Sequence, residues 1–313
     1  MPPIAKHAYL IMAHDNWQIL RRLLLLLDDY RHDIFLHLDA KSKPIDLQTE
    51  SLITKSGLRI IESKPVYWAD YSQVETTLRL LKEAVSGEYS YYHLLSGVDL
   101  PLKTNDERYR FFENSQKNFI GIVPHESWYS VRRVKYFHPL VHNRYYRTSK
   151  PMKIADRLLE YCQRITGVNR LKNNNWKIID GWTWFSIQHD LCQNLIEAEK
   201  MLNSMFHSTI ASDELFIQSF VYNQPILRRT LYDENDLKNG SMRYIDWKRG
   251  KPYTWGREAE KDFQLLMNSP YMFARKFSEE KSGELADRIF LRLMDEQNSH
   301  TDLFYRVDSF PLH

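Results

Sequence analysis

Between Ile210 and Asn223, three polar residues, Ser212, Asp213 and Glu214, open an apolar run of Leu215, Phe216, Phe220 and Val221 at helical spacing. The pattern predicts a buried helix with Ser212 as its N-cap and both acids in the first turn, where the peptide dipoles favour negative charge. A carboxylate fixed at such a corner can project from a rigid frame into a cleft and take a proton from a hydroxyl. The same residues also suit an ordinary helix start with no chemistry attached. The rest of the chain has to decide between the two readings.

A second group of chemically able residues lies between Trp128 and Lys153. Arg132, Arg133, Lys135, Arg144, Arg147, Lys150 and Lys153 alternate there with Tyr129, Tyr136, Phe137, Tyr145 and Tyr146. Interleaved cations and aromatic rings suit an anionic or sugar-bearing ligand, and equally a solvated basic loop. Trp182 and Trp184 alternate in an aromatic-rich strand from Gly181 to Ser186, so they share a face that could wall a sugar site or fill a core. Several signatures are missing. The chain has no GxGxxG after a strand, no GxxxxGK[ST] and no GxSxG. It also has no D-x-D triplet to clamp a metal on a diphosphate; the nearest imitation, Asp233 to Asp236, reads as a surface turn. No resident cofactor or divalent metal is expected.

These residues need a frame. His7 to Ala13 reads as a strand that runs through His14 and Asp15 into a helix carrying Leu20, Leu23, Leu24 and Leu27. Asp33 to Asp39 is a second strand with Asp39 at its tip, where open α/β sheets bind ligands. Gly57 to Ile61 is a third, followed by Tyr67, Trp68 and a helix through Val74, Leu78, Leu81 and Val85. Tyr91 to Leu95 is a fourth, closing into Ser96 to Thr104, and Phe119 to Val123 is a fifth. Helices are predicted over Asp156 to Ile165 and Asp190 to Phe206, with a loop over Lys172 to Lys177. Alternation of strand and helix predicts a mostly parallel sheet flanked by helices, and the absence of repeats or linkers favours one α/β domain over 1–313.

Composition agrees with an ordinary globular protein. Of the 313 residues 43% are hydrophobic, and the formal charge of +3 comes from 43 basic against 40 acidic side chains, so composition does not indicate a nucleic-acid binder. Cys162 and Cys192 lack a CxxC or Cys/His neighbourhood, which argues against structural zinc and a disulfide scaffold and fits a reducing cytoplasm. The longest aliphatic run, Leu23 to Leu27, is too short to span a bilayer, so neither anchor nor secretion signal is expected.

Several blocks, in order, resemble the core-2/I-branching glycosyltransferases, glycosyltransferase family 14, which includes the peptide O-xylosyltransferases. They are Ala13-His14, His37-Leu38-Asp39, Tyr67-Trp68, Leu95 to Thr104 (LSGVDLPLKT), Ser212-Asp213-Glu214, Arg243 to Trp247 (RYIDW) and Phe273 to Phe277 (FARKF). The resemblance implies a GT-A type fold with a Rossmann-like sheet, and an inverting, metal-free transfer of a sugar from a UDP donor to a hydroxyl. It divides the chain into a nucleotide-binding half (about 1–125), an acceptor side bearing the base (about 126–230) and a C-terminal segment supplying basic residues (about 231–313). Glu214 matches the general base, and Asp213 braces the helix start or the donor. Lys276 matches one of two cations on the leaving diphosphate; Arg257 is the first choice for the other, with Arg243 or Lys251 in reserve. Ala13, His14, Asp39, Tyr67, Trp68, Gly97 and Asp99 fall in the donor neighbourhood. Arg132, Arg133 and Lys135, with Trp182 and Trp184, fall on the acceptor side.

The many cysteines and the membrane anchor of the animal enzymes are missing. That points to a bacterial-type, cytoplasmic member acting on a polysaccharide or lipid-linked oligosaccharide precursor, with peripheral contact at the inner membrane face. The expected donor is UDP-N-acetylglucosamine, with UDP-xylose or another UDP-sugar as alternatives. Two rival readings remain: a carbohydrate- or nucleic-acid-binding module without turnover, and a nucleic-acid-directed transferase using the Arg132 to Lys153 stretch. The sequence does not specify the oligomeric state.

Overall fold

A computed structural model of the chain describes residues 5–43 and 52–307. Among them nine strands form two sheets: β1 (His7–Ala13), β2 (His32–Leu38), β3 (Gly57–Ile60), β4 (Tyr91–Ser96), β5 (Asp99–Pro101), β6 (Phe119–Ile122), β7 (Gly181–Gln188), β8 (Arg243–Ile245) and β9 (Phe273–Arg275). The larger sheet has the order β3-β2-β1-β4-β7-β6 and the smaller β5-β9-β8. In the larger one β3, β2, β1 and β4 are parallel, and β7 runs antiparallel to both β4 and β6. The sheet is therefore mostly parallel, as the strand–helix alternation predicts, with β7 the one reversed strand.

The helices that matter for the site are α1 (Trp17–Leu27), α2 (Ser72–Val85), α3 (Asn105–Ser115), α4 (Trp128–Lys135), α5 (Lys150–Ile165), α6 (His189–Glu197), α7 (Glu199–Phe206), α8 (Phe216–Tyr222), α9 (Ala259–Met267) and α10 (Glu279–Val307). They cover both faces of the sheet. β1 shows why: it is nearly continuously apolar, as a strand buried on both sides must be. Tyr9, Ile11 and Ala13 enter one core with α1, α9 and α10, whereas Ala8 and Leu10 enter the other with α2, α6 and α8.

Three local expectations are corrected. The stretch from Asp190 to Phe206 is two helices meeting at Ala198, and nothing in the local sequence accounts for the break. The basic stretch after Trp128 is not a loop throughout: Ser127 caps α4 through the Ser130 amide at 3.0 Å. α5 starts at Lys150, before the predicted Asp156, because Ser149 caps it through the Met152 amide with Pro151 in the first turn.

Strand order reverses at β1, which lies between β2 and β4, so the carboxyl ends of these three strands open a crevice at the topological switch point. Pairing of β5 with β9 sets Asp99 opposite Arg275 beside that crevice.

Candidate active site

The strand ends line a cavity of about 560 Å³. Ala13 and His14 follow from β1, Asp39 from β2 and Gly97 from β4, while Tyr67 and Trp68 form a wall ahead of α2. Gly97 is required by close approach, since a Cβ there would lie 2.7 Å from the Ala13 Cβ. Asp39 is fixed by its own loop: Oδ1 accepts from the Lys41 amide at 2.9 Å, and Oδ2 faces Lys41 Nζ at 3.0 Å. That ammonium also lies 4.5 Å from the centroid of the Tyr67 ring.

Trp184 of β7 and Arg275 of β9 complete the opposite wall, and Arg144 and Arg147 stand at the cavity as further cations. The Arg275 guanidinium stacks over the Trp184 ring at 4.3 Å, with its Nε 3.7 Å from Asp99 Oδ1. Its Nη1 is buried without a hydrogen-bond partner, an unsatisfied donor at a cavity wall. Asp99 is itself tied down, accepting from the Ser96 amide at 2.9 Å and the Ser96 hydroxyl at 2.7 Å. Lys276 sits within the field of the same cations: burial, then the Arg275 and Arg147 charges, push its ammonium below the ordinary value.

The turn bearing Glu214 is anchored to both walls of the cavity. The Ala211 amide donates to the Ala69 carbonyl at 2.7 Å, next to Trp68, and Asp213 Oδ2 accepts from Thr183 Oγ1 at 2.7 Å, next to Trp184. Ala69 and Ala211 both have positive φ, 63° and 48°, a conformation costly for alanine that the joining hydrogen bond and the surrounding packing hold in place. Arg133 supports the turn from behind. This buried guanidinium donates to the Ile210 carbonyl at 2.8 Å and the Ala211 carbonyl at 2.5 Å, and pairs with Asp180 at 3.2 Å and Glu214 Oε2 at 3.0 Å.

Glu214 lies in a recess, crowded by protein yet with 41% of its side chain exposed. Burial first, then the neighbouring Asp213 carboxylate, outweigh Arg133 and push its carboxyl up to about 7. Asp213 is fully enclosed and its carboxyl is also raised by burial, with Oδ1 unpaired. A carboxylate held in one orientation and balanced near neutrality is suited to accept a proton. Among the described residues, no group of three or more His, Cys, Asp or Glu side chains converges as a metal ion would need.

A family model described as core-2/I-branching enzyme matches residues 7–264. The chain belongs to the core-2/I-branching enzyme family. As a core-2/I-branching enzyme it is a glycosyltransferase, and its helix-flanked six-stranded sheet is of GT-A type. The matched span includes the ends of β1, β2 and β4 and the Ser212–Glu214 turn but stops before Phe273, so Arg275 stands on its place in the cavity wall, and Lys276, which is not among the lining residues, on the FARKF resemblance. No curated protein matches the chain.

Within this branching-enzyme frame the structure gathers some expected residues and separates others. Ala13, His14, Asp39, Tyr67, Trp68, Gly97 and Trp184 line one cavity; Trp184, assigned from sequence to the acceptor side, shares it with the donor group. Arg243 is buried beneath the sheet, its guanidinium committed to the Ser241, Leu94 and Phe185 carbonyls and the Ser186 hydroxyl. Arg257 and Lys251 are exposed and outside the cavity lining, Arg257 6.0 Å from the Tyr253 ring. Arg132 is paired with Glu160 at 3.1 Å, and Lys135 stands over Trp128 and Tyr136. Arg133, placed by sequence among acceptor contacts, is spent inside the protein on the Glu214 turn. Trp182 is buried, its carbonyl accepting from Gln218 Nε2 at 2.7 Å.

Ser212 is a correction. Ser212–Glu214 forms its own 3-10 turn, α8 begins only at Phe216, and the Ser212 hydroxyl is buried without a partner instead of capping a helix. Bonds from Thr183 and Arg133 dictate the turn and override the local capping preference. The residue that sequence reasoning missed is Arg275: it lies beside Lys276 in FARKF, and only the pairing of β9 with β5 turns it toward the cavity.

Proposed function

We propose that this glycosyltransferase is inverting and metal-independent, and moves a sugar, N-acetylglucosamine by family resemblance, from a UDP donor to a hydroxyl of a glycan acceptor. The observation that carries the reading is the Glu214 carboxylate, held by Arg133 on a turn that bonds to Ala69 and Thr183, the chain neighbours of the cavity-lining Trp68 and Trp184, and balanced near pH 7. The acceptor oxygen attacks the anomeric carbon, the bond from that carbon to the diphosphate oxygen breaks, and the hydroxyl proton passes to Glu214. UDP leaves with the bonding electron pair. Its growing negative charge needs preorganised cations. Arg275, with its unsatisfied N–H, and the neighbouring Lys276 and Arg147 supply them. Asp39, at the tip of β2 in the same cavity as Tyr67, suits the uridine as an acceptor of its N–H or hydroxyl hydrogens.

The test is a panel of UDP-sugars in chelator, read by thermal shift and by slow release of UDP to water. At a hundred times its Kd a ligand stabilises by about 2.7 kcal/mol. For 313 residues the unfolding entropy is about 0.66 kcal/mol per kelvin, so the shift is about 4 °C. One donor should shift the transition and release UDP with chelator present. Binding only after manganese is added contradicts the metal-free mechanism, and binding without turnover on any acceptor favours a module that has lost its chemistry.

A further inference from the structure

α5 is built inside out. Its inward residues are polar: Asp156 accepts from Tyr146 Oη at 3.2 Å and lies 2.9 Å from His138 Nδ1, Glu160 pairs with Arg132, and the Gln163 side chain bonds both the amide and the carbonyl of Phe137 at 2.8 Å. Its outward stripe is apolar. Ile154, Leu158, Tyr161 and Ile165 follow one another at spacings of four, three and four, and are 55%, 61%, 59% and 70% exposed. A soluble surface helix has the opposite arrangement.

The charges are sorted in the same way. Both acids of α5 point inward and are buried, whereas Lys150, Lys153, Arg157 and Arg164, all basic, flank the exposed stripe. Exposed aromatics extend the face. Trp128 of α4 lies under the Arg164 guanidinium at 5.8 Å, with exposed Tyr129 beside it. At the other end Lys153 Nζ is 5.8 Å from the ring of Trp68, which belongs to the cavity wall. Apolar side chains, a rim of cations alone and peripheral Trp and Tyr rings match the boundary between lipid headgroups and acyl chains.

We propose that α5 docks the protein on the surface of an anionic lipid bilayer. Sixteen residues of helix are about 24 Å long, short of a hydrocarbon core of about 30 Å, so the helix lies in the plane of the interface. Among the described residues no helix is long and apolar enough to cross a membrane. The stripe could also pair with a second copy of itself, but that would crowd the Arg157 and Arg164 cations of two chains together, whereas lipid phosphates neutralise them. Docking does not depend on the transfer chemistry. Resting on the reading above, it has one consequence for substrate class: the cavity mouth at Trp68 is held at headgroup level, where a sugar hydroxyl on a lipid-linked acceptor lies.

The test needs no substrate. Cys162 is exposed on α5 and Cys192 is buried, so an environment-sensitive maleimide dye reports on this helix alone. Flotation and dye emission are measured with phosphatidylcholine vesicles and with vesicles of equal parts phosphatidylcholine and phosphatidylglycerol. The expected result is flotation and a blue shift with the anionic vesicles only, declining with salt. Leu158→Glu/Ile165→Glu and Arg157→Glu/Arg164→Glu should each lower vesicle affinity about tenfold or more. Their solution UDP release and melting temperature should stay unchanged, since all four residues are exposed. Absence of flotation, equal binding to neutral vesicles, an unshifted dye on floated protein or undiminished binding by both variants overturns the proposal. So does a wild-type dimer that Leu158→Glu/Ile165→Glu converts to monomer, which would make the stripe an interface between copies. Failure of UDP release with intact flotation would count against the transfer reading and leave the docking face standing.

Discussion

Replacing Arg133 with methionine separates the chemistry of the Glu214 turn from its architecture. Arg133 Nη2 is 3.0 Å from Glu214 Oε2. At that separation Coulomb's law gives about 5.5 kcal/mol at an effective dielectric of 20 and about 1.4 kcal/mol in water. Two-fifths of the Glu214 side chain meets solvent, which selects the lower figure, about one pKa unit. Glu214 acts as a base only when deprotonated, so wild-type activity rises with pH through about 7, and in Arg133→Met that limb moves up by about one unit. At pH 7 the deprotonated fraction then falls from one half to one eleventh, so the rate drops about fivefold from protonation alone, a loss that high pH restores. Stability falls as well, by about 3 kcal/mol, because Asp180 and two carbonyls lose their donor; the melting temperature drops by about 5 °C. The assay is the pH dependence of kcat/KM for UDP release beside a melting curve. A limb that stays in place while the melting temperature falls would refute the reasoning: Arg133 would brace the fold only, and the titrating group would be another.

Four further substitutions test the cavity and its surroundings. Arg275→Ala and Lys276→Ala should each weaken UDP binding by about 2–3 kcal/mol in isothermal titration, and unchanged affinity in both would put the diphosphate elsewhere. Arg243→Met strands three carbonyls, so it should lower the melting temperature by about 5 °C while the folded protein keeps its UDP affinity; lost affinity at unchanged stability would return Arg243 to the diphosphate. Gly97→Ala forces a Cβ within 2.7 Å of Ala13, and the strand ends must part at a cost of about 1–3 kcal/mol with loss of donor affinity. Melting curves and affinities equal to wild type would mean that this approach tolerates a methyl group.

The sequence carries the sheet and its ligand edge legibly, because a strand buried on both faces is apolar throughout and a strand tip ends in polar residues such as Asp39 and Ser96. It carries the cavity lining for the same reason: Ala13 ends β1, and Asp39 and Gly97 are each one step beyond a strand. The turn that bears Glu214 is less legible. Ser212-Asp213-Glu214 has the local grammar of a helix cap, yet tertiary bonds from Thr183 and Arg133, 29 and 79 positions before Ser212, pull it into a separate turn. Positive φ at Ala69 and Ala211 has no sequence signal, since alanine is not where such strain is expected. Among the cations the sequence shows charge without direction. Arg133 and Arg243 are spent on carbonyls and carboxylates inside the fold, and Arg275 reaches the cavity through a strand pairing between segments 174 residues apart.

The central claim is that Glu214 takes the proton while donor binding rests on other residues. The most direct measurement compares wild type and Glu214→Gln for affinity and UDP release on whichever UDP-sugar the panel selects. The account predicts donor affinity within about threefold of wild type and release slowed by about 10²–10⁴. Release by Glu214→Gln near the wild-type rate would contradict it, and the base would have to be sought among the other groups around the recess.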